Sequence, residues 1–148
     1  KANGHYINSM LALREALDSG CEEALLLDNE GYVAEGSGEN IFIVRDGKLY
    51  TPELTSCLDG ITRNTIFAFC KELGLEVEEK RITRDEVYVA DEAFFTGTAA
   101  EVLPIRELDG RQIGSGVRGP ITTELQSRYF DQVKGRREQF PEWLSPVA

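Results

Sequence analysis

A chain of 148 residues, 41% hydrophobic and 28% charged, is long enough to bury a core and ordinary in composition for a single globular domain. Its 16 basic and 26 acidic residues leave a net charge of -10, which sets it against nucleic acid and anionic membrane as partners through plain repulsion. Cys21, Cys57 and Cys70 are odd in number, far apart and without a C-x-x-C pair, a usage that fits packed thiols in a reducing cytoplasm better than a secreted disulfide scaffold. No apolar run approaches the roughly 20 residues that span a bilayer, and no signal-peptide pattern opens the chain.

In chain order, Ile7, Met10, Leu11, Leu13 and Leu17 recur at helical spacing from Tyr6 to about Ser19, opposite Arg14, Glu15 and Asp18, and Gly20 ends the helix. Ala24 to Leu27 is an apolar strand, Asn29-Glu30-Gly31 a hairpin turn, and Tyr32-Val33-Ala34 the return, with Glu35 where that strand ends. Asn40 to Arg45 and Lys48 to Thr51 read as strands joined by Asp46-Gly47, so the first half is a helix followed by an antiparallel meander. A loop over 52–59 leads to Gly60 and a helix from about Thr62 to Leu73 with Ile66, Phe69, Cys70 and Leu73 on one face, stopped by Gly74. Leu75 to Ile82 alternates as a strand, and Thr83-Arg84-Asp85-Glu86 is a capping box opening a short helix through Ala90. Ala93 to Thr96 and Val102 to Arg106 are strands around a small flexible turn, and Asp109-Gly110 is a further turn. After the glycine-rich 114–119, Pro120 starts a final helix carrying Ile121, Leu125, Tyr129 and Val133, and a charged tail from Gly135 clings through Phe140 and Trp143. No internal repeat, low-complexity segment or second domain boundary interrupts the order.

Several stretches could carry chemistry. Glu35-Gly36-Ser37-Gly38-Glu39 places carboxylates beside flexible backbone that a ligand could approach; solvated turn acids are the plain alternative. Gly60-Ile61-Thr62 at a helix start offers free N–H groups, the positive end of a dipole and a hydroxyl, which could seat a phosphate, although an ordinary cap is the plainer reading because capping is so common. Gly97-Thr98-Ala99 is either an anion-binding turn or a simple turn. His5 is the only histidine, which excludes a two-histidine metal site and disfavours a Ser-His-Asp hydrolase. There is no G-x-x-x-x-G-K-[ST], and Gly36-Ser37-Gly38 lacks the third glycine and the helix of a dinucleotide fingerprint.

Taken together, Glu35-Gly36-Ser37-Gly38-Glu39-Asn40-Ile41-Phe42, Leu49-Tyr50-Thr51 and Leu58-Asp59-Gly60-Ile61-Thr62-Arg63 resemble the signature of the class IV pyridoxal-phosphate aminotransferases. Lys1-Ala2-Asn3-Gly4-His5-Tyr6 is similar to that family's cofactor-lysine segment, and Thr96 to Ile105 to its later anion-binding turn. The resemblance covers essentially the whole chain, and Gly38-Glu39-Asn40 with Ala99-Ala100-Glu101 is closest to the branched-chain amino acid aminotransferases. It implies an α/β (α+β) fold: the large cofactor-binding domain of that family, either an antiparallel-rich mixed sheet or a pseudo-barrel, with surrounding helices.

The same resemblance implies roles. Lys1 would join the pyridoxal 5'-phosphate aldehyde covalently and then move the proton between the substrate α-carbon and the cofactor. Glu35 would face the pyridine nitrogen and keep it protonated, and Tyr6 would hydrogen-bond the ring hydroxyl. Leu58 would pack on the ring face, Gly60, Ile61 and Thr62 with Thr98 would hold the phosphate, and Thr98 and Ala99 would receive the substrate carboxylate. Gly36 and Gly38 would make room for the cofactor, and Glu39 would be structural. The implied reaction exchanges amino groups between leucine, isoleucine or valine and 2-oxoglutarate, in a cytoplasmic homo-oligomer, a dimer or a hexamer. A domain preceding Lys1 is expected, supplying an arginine for the phosphate and much of the substrate pocket. Two rivals stand beside this reading: a D-amino acid transaminase or aminodeoxychorismate lyase on the same fold, and a non-catalytic α/β ligand-binding domain.

Overall fold

The computed structural model describes residues 2–145. A single 3-10 turn over Asn3–Tyr6 leads into α1 (Ile7–Asp18), followed by β1 (Leu25–Leu27), β2 (Val33–Gly36), β3 (Asn40–Arg45), β4 (Lys48–Thr51), α2 (Ile61–Leu73) and β5 (Val77–Glu79). Then come α3 (Arg84–Tyr88), β6 (Glu92–Gly97), β7 (Glu101–Pro104), the short strands β8 (Glu107–Leu108) and β9 (Arg111–Gln112), α4 (Pro120–Val133) and a 3-10 turn at Pro141–Trp143.

The centre is an open five-stranded sheet in the order β5-β4-β3-β6-β7, antiparallel except for the parallel pair β4 and β5. It is the expected mixed sheet with surrounding helices, and β5 and β7 remain edges, so the pseudo-barrel form is not adopted. The expected meander is also divided: β1 and β2 make a separate two-stranded sheet, because the chain turns between Gly36 and Asn40 and β3 pairs with β6 instead.

β3 and β6 are apolar on both sides because both sheet faces are covered. Ile41 and Ile43 join Val33, Ile82, Val87, Ala93 and Phe95 on one face. Phe42 and Val44 join Leu49, Ile66, Phe69, Phe94 and Leu125 on the other, where α2 and α4 pack. Directly opposed Phe42 and Phe94 stack with centroids 5.2 Å apart, a cross-strand pair that ties the two central strands together.

Local chemistry sets the turns. Asp46 and Gly47 both take positive φ, 51° and 77°, as a two-residue hairpin with the native strand twist requires. Gly74 ends α2 in the left-handed region, and the Thr83–Glu86 capping box forms as expected, each side chain accepting from the other's backbone N–H. The start of α4 is capped from a distance. Glu92 on β6, 8% exposed, accepts from Thr122 N (2.7 Å), Thr122 Oγ1 (2.6 Å) and Ile121 N (3.1 Å), and a side chain on Gly119 would collide with it.

Several expectations need correction. The strand expected over 75–82 is regular only at Val77–Glu79, because beyond Lys80 the chain leaves β4 and gives its Ile82 carbonyl to Val33 N of the other sheet. The helix expected through Ala90 ends at Tyr88, and the strand expected to Arg106 ends at Pro104, with one last bond beyond it from Ile105 N to Ala93 O (2.8 Å). On α4, Val133 is half exposed and Gln132 is buried in its place, donating from Nε2 to Phe140 O (3.2 Å), because the tail folds back there. Phe140 and Trp143 do hold that tail, stacked at 4.1 Å beside Phe69. Finally, α1 forms as expected but buries no residue fully. Ser9, Ala12, Leu13 and Ala16 are half-buried, whereas Ile7, Met10, Leu11 and Leu17 are 51–66% exposed.

Candidate active site

A cleft of about 110 Å³ opens at the end of the sheet where β2 gives way to β3, β6 reaches its turn and α2 begins. Five chain segments line it. Tyr6 comes from the turn before α1; Glu35 from β2; Gly38, Glu39 and Asn40 from the tight turn into β3; Leu58, Gly60, Ile61 and Thr62 from the start of α2; and Thr96, Gly97 and Thr98 from the end of β6.

Glu35 is the penultimate residue of β2, one residue before the end of its strand. Its Oε2 accepts from Leu58 N (2.9 Å) and lies 3.5 Å from Asn40 Nδ2, so the carboxylate is anchored to the loop that precedes α2. Gly60 is the N-cap of α2 in extended conformation (φ -77°, ψ 138°) and contributes no side-chain cap. The N–H groups of the first helical turn have no acceptor within the helix, which leaves them with the positive end of the dipole at the cleft. Thr62 is buried behind this edge, while Ile61 is 84% exposed. Across the cleft, Thr98 heads the turn between β6 and β7, which closes through Glu101 at φ 58°. The Thr96 hydroxyl is buried and without a hydrogen-bond partner among the described residues. Electrostatically, the cleft therefore presents two carboxylates, Glu35 and Glu39, one anion-seeking helix terminus and several hydroxyls.

The thiol nearest the site, Cys57, donates weakly to Glu53 O (3.3 Å), and burial pushes its pKa up to about 11, so it stays a neutral thiol at ordinary pH. Among the described residues no group of three His, Cys, Asp or Glu could hold a metal, and no helix is long and apolar enough to cross a membrane.

Tyr6, Glu35, Leu58, Gly60, Ile61, Thr62 and Thr98, far apart in the chain, thus meet at one cleft. Ala99 does not line it and sits exposed in the turn after Thr98. Lys1 lies outside the described residues. The two glycines of the 36–38 turn differ. The space beside Gly36 is taken by the Phe95 ring, 2.9 Å from where a Cβ would stand, and by Glu39 Oε2 at 3.0 Å, so this glycine accommodates protein. Gly38 has nothing within 4 Å and leaves its side of the cleft open. Sequence reasoning did not single out Asn40 or Thr96 for the site. Their signal was their place within the quoted motifs, on strands that pair them directly, Asn40 on β3 opposite Thr96 on β6.

The profile described as Amino-transferase class IV matches residues 2–108, most of the chain and every described element of the cleft. The chain belongs to the class IV aminotransferases. Among curated members it is 68% identical over 147 residues to the branched-chain-amino-acid aminotransferase of Pseudomonas aeruginosa, covering 99% of this chain and 48% of that relative. It is 47% identical over 148 residues to that of Escherichia coli (strain K12), again covering 99% and 48%. Its fold superposes on the T.th. branched-chain amino acid aminotransferase complexed with N-(5'-phosphopyridoxyl)-L-glutamate at TM-score 0.98 and 52% identity, covering all of this chain and 50% of that one. The PLP form of the Thermobaculum terrenum enzyme gives TM-score 0.97 and 47% identity, covering 100% and 49%. The chain therefore spans about half the length of the class IV relatives it matches.

Proposed function

We propose that this chain is the cofactor-holding part of a pyridoxal-phosphate-dependent branched-chain amino acid aminotransferase, which moves the amino group of leucine, isoleucine or valine to 2-oxoglutarate. The observation that carries the reading is the meeting of Glu35, the N-terminus of α2 and Thr98 at one cleft in a class IV chain. The names of relatives at 47–68% identity support the substrate class, and the pyridoxal-phosphate derivatives held by structural neighbours support the cofactor.

The residues present suit such a group. An anion seat without a side-chain cap fits a phosphate, a carboxylate anchored to the loop before α2 fits a protonated pyridine nitrogen, and an orphaned buried hydroxyl fits a polar ligand. Bound pyridoxal phosphate supplies the electron sink that acidifies the substrate α-carbon. The chain's residues would do the rest. The N–H groups of Ile61 and Thr62 and the Thr98 hydroxyl would hold the phosphate. Glu35 would keep the pyridine nitrogen protonated, since a carboxylate beside it favours the cation. Leu58 would exclude water from the ring face, and Tyr6 would orient the ring through its hydroxyl. Lys1 Nζ would take the proton from the substrate α-carbon and return it at the cofactor carbon, and the Thr98 and Ala99 amides would receive the substrate carboxylate. The relatives' remaining length would complete the substrate pocket. A cytoplasmic homo-oligomer belongs to the same proposal.

The test uses the full-length protein. Incubated with pyridoxal phosphate, it is expected to acquire an absorbance band near the visible edge that borohydride fixes onto Lys1, and to release keto acid from leucine. No adduct would support a non-catalytic domain, and turnover of D-alanine or aminodeoxychorismate alone would move the chain to a sister activity.

A further inference from the structure

Asn40 stands at the first position of β3, the middle strand of the sheet, paired with Thr96 and only 4% exposed. Its side chain reaches Glu35, Leu58 and Gly60. Nδ2 donates to Leu58 O (2.8 Å) and lies 3.5 Å from Glu35 Oε2, the oxygen that also accepts from Leu58 N (2.9 Å). Both neighbours of Nδ2 are acceptors, which fixes the orientation of the amide. Oδ1 then faces Gly60, so closely that a Cβ there would collide with it and sit 3.4 Å from Asn40 Cγ. One buried amide therefore occupies the corner between a carboxylate on a strand, the loop residue whose C=O it binds and whose N–H that carboxylate binds, and the cap of a 13-residue helix.

The chemistry of that corner is specific. Leu58 is in a loop, and Asn40 Nδ2 and Glu35 Oε2 between them engage both of its backbone polar groups. Without Nδ2, the Leu58 carbonyl loses its partner, and the loop that carries Leu58 and Gly60 loses its tie to β3, leaving only the bond from Leu58 N to Glu35. An acid at position 40 would set an oxygen against two others.

We propose that Asn40 is a positioning residue, which sets the Glu35 carboxylate and the anion seat at the start of α2 at a fixed separation and so tunes how both ends of a bound pyridoxal phosphate are held. This rests on the reading of the site given above. Asn40 touches neither a proton in flight nor the reacting carbon; it acts through Glu35 and Leu58.

The experiment compares full-length wild type, Asn40→Ala, Asn40→Asp, Glu35→Gln and Asn40→Ala/Glu35→Gln. It reads the cofactor Kd by equilibrium titration, the pH midpoint of the bound chromophore, and the apo Tm. Asn40→Ala is expected to weaken cofactor binding by about tenfold or more, the loss of a hydrogen bond at a charged site, and to move the pH midpoint. In the Glu35→Gln background, Asn40→Ala should leave the midpoint where Glu35→Gln alone puts it, because it acts through that carboxylate. A purely structural asparagine would lower the apo Tm and leave the midpoint unchanged. Wild-type Kd and midpoint in Asn40→Ala, or midpoint shifts that add in the double variant, would overturn the proposal. Should Asn40→Ala not fold, Asn40→Asp keeps its volume and carries the same expectation, and a wild-type midpoint there overturns it. If the wild type itself forms no borohydride-fixable adduct, the cofactor reading falls and takes this inference with it; an adduct with unchanged Asn40 variants refutes this inference alone.

Discussion

Gly60→Ala tests the corner of the site from the opposite side. The backbone at Gly60, φ -77° and ψ 138°, is open to alanine, so the substitution carries no torsional strain, and fewer unfolded conformations would favour the variant by about 0.4–1 kcal/mol. Against this stands packing. The new methyl would collide with Asn40 Oδ1, with Asn40 Cγ at 3.4 Å and Arg63 Cβ at 3.6 Å closing two other directions. Overpacking of this kind costs about 1–3 kcal/mol, and pushing Asn40 away loosens its bond to Leu58 O, for about 0.5–1.5 kcal/mol more. The net is a destabilisation of roughly 1–3 kcal/mol, which for a chain of this size is a fall in Tm of roughly 3–10 °C. Urea and thermal unfolding of the apo protein measure it, with Gly38→Ala as the control, since nothing lies within 4 Å of that position. Combining Gly60→Ala with Asn40→Ala removes the colliding atom, so the double-variant cycle should return a coupling of about 1 kcal/mol or more. A Gly60→Ala protein as stable as wild type, or a cycle with no coupling, would refute the steric reasoning.

Three further outcomes are expected. Glu35→Gln keeps an oxygen that can accept from Leu58 N, so the fold should survive while transamination falls by roughly a hundredfold or more; undiminished turnover refutes the role given to the carboxylate. Glu92→Ala removes three hydrogen bonds at the start of α4, two of them from the buried Thr122. It should cost about 3 kcal/mol, and an unchanged urea midpoint would show that α4 is capped in another way. Burial pushes the thiols of Cys57 and Cys70 up to about 11 and about 12, whereas Cys21 is exposed. A thiol reagent at pH 8 should therefore modify one cysteine quickly in the native protein and three in denaturant; because the folded pKa values are raised, their contribution to stability is full below the ordinary value of 9.0 and is lost as pH rises toward 11–12. Rapid native reaction of Cys70 would contradict the burial.

Much of this protein was legible in one dimension, because its signals are local. Asp46-Gly47 must turn, Thr83 and Glu86 must cap and Gly74 must stop α2, since each of these depends on torsions or hydrogen bonds within a few residues, and the apolar, β-prone run from Asn40 to Arg45 reads as a strand from its composition. The class IV resemblance was likewise carried by short motifs whose order and spacing could be read directly. What the sequence could not contain is the identity of neighbours. It placed an apolar stripe on α1 without saying that Ile7, Met10, Leu11 and Leu17 would face outward within this chain. It let 75–82 read as one strand, whereas the residues divide between two sheets. It assigned the freedom of Gly36 to a ligand, although Phe95 and Glu39 take that space. Asn40 shows the limit most sharply: a residue that looked like the first rung of a strand is the contact between Glu35, Leu58 and Gly60, and that role exists only where β2, β3 and α2 meet. Periodicity encodes which face of an element is apolar, whereas a site is made by side chains distant in sequence, whose distances are set only when the sheet and helices pack.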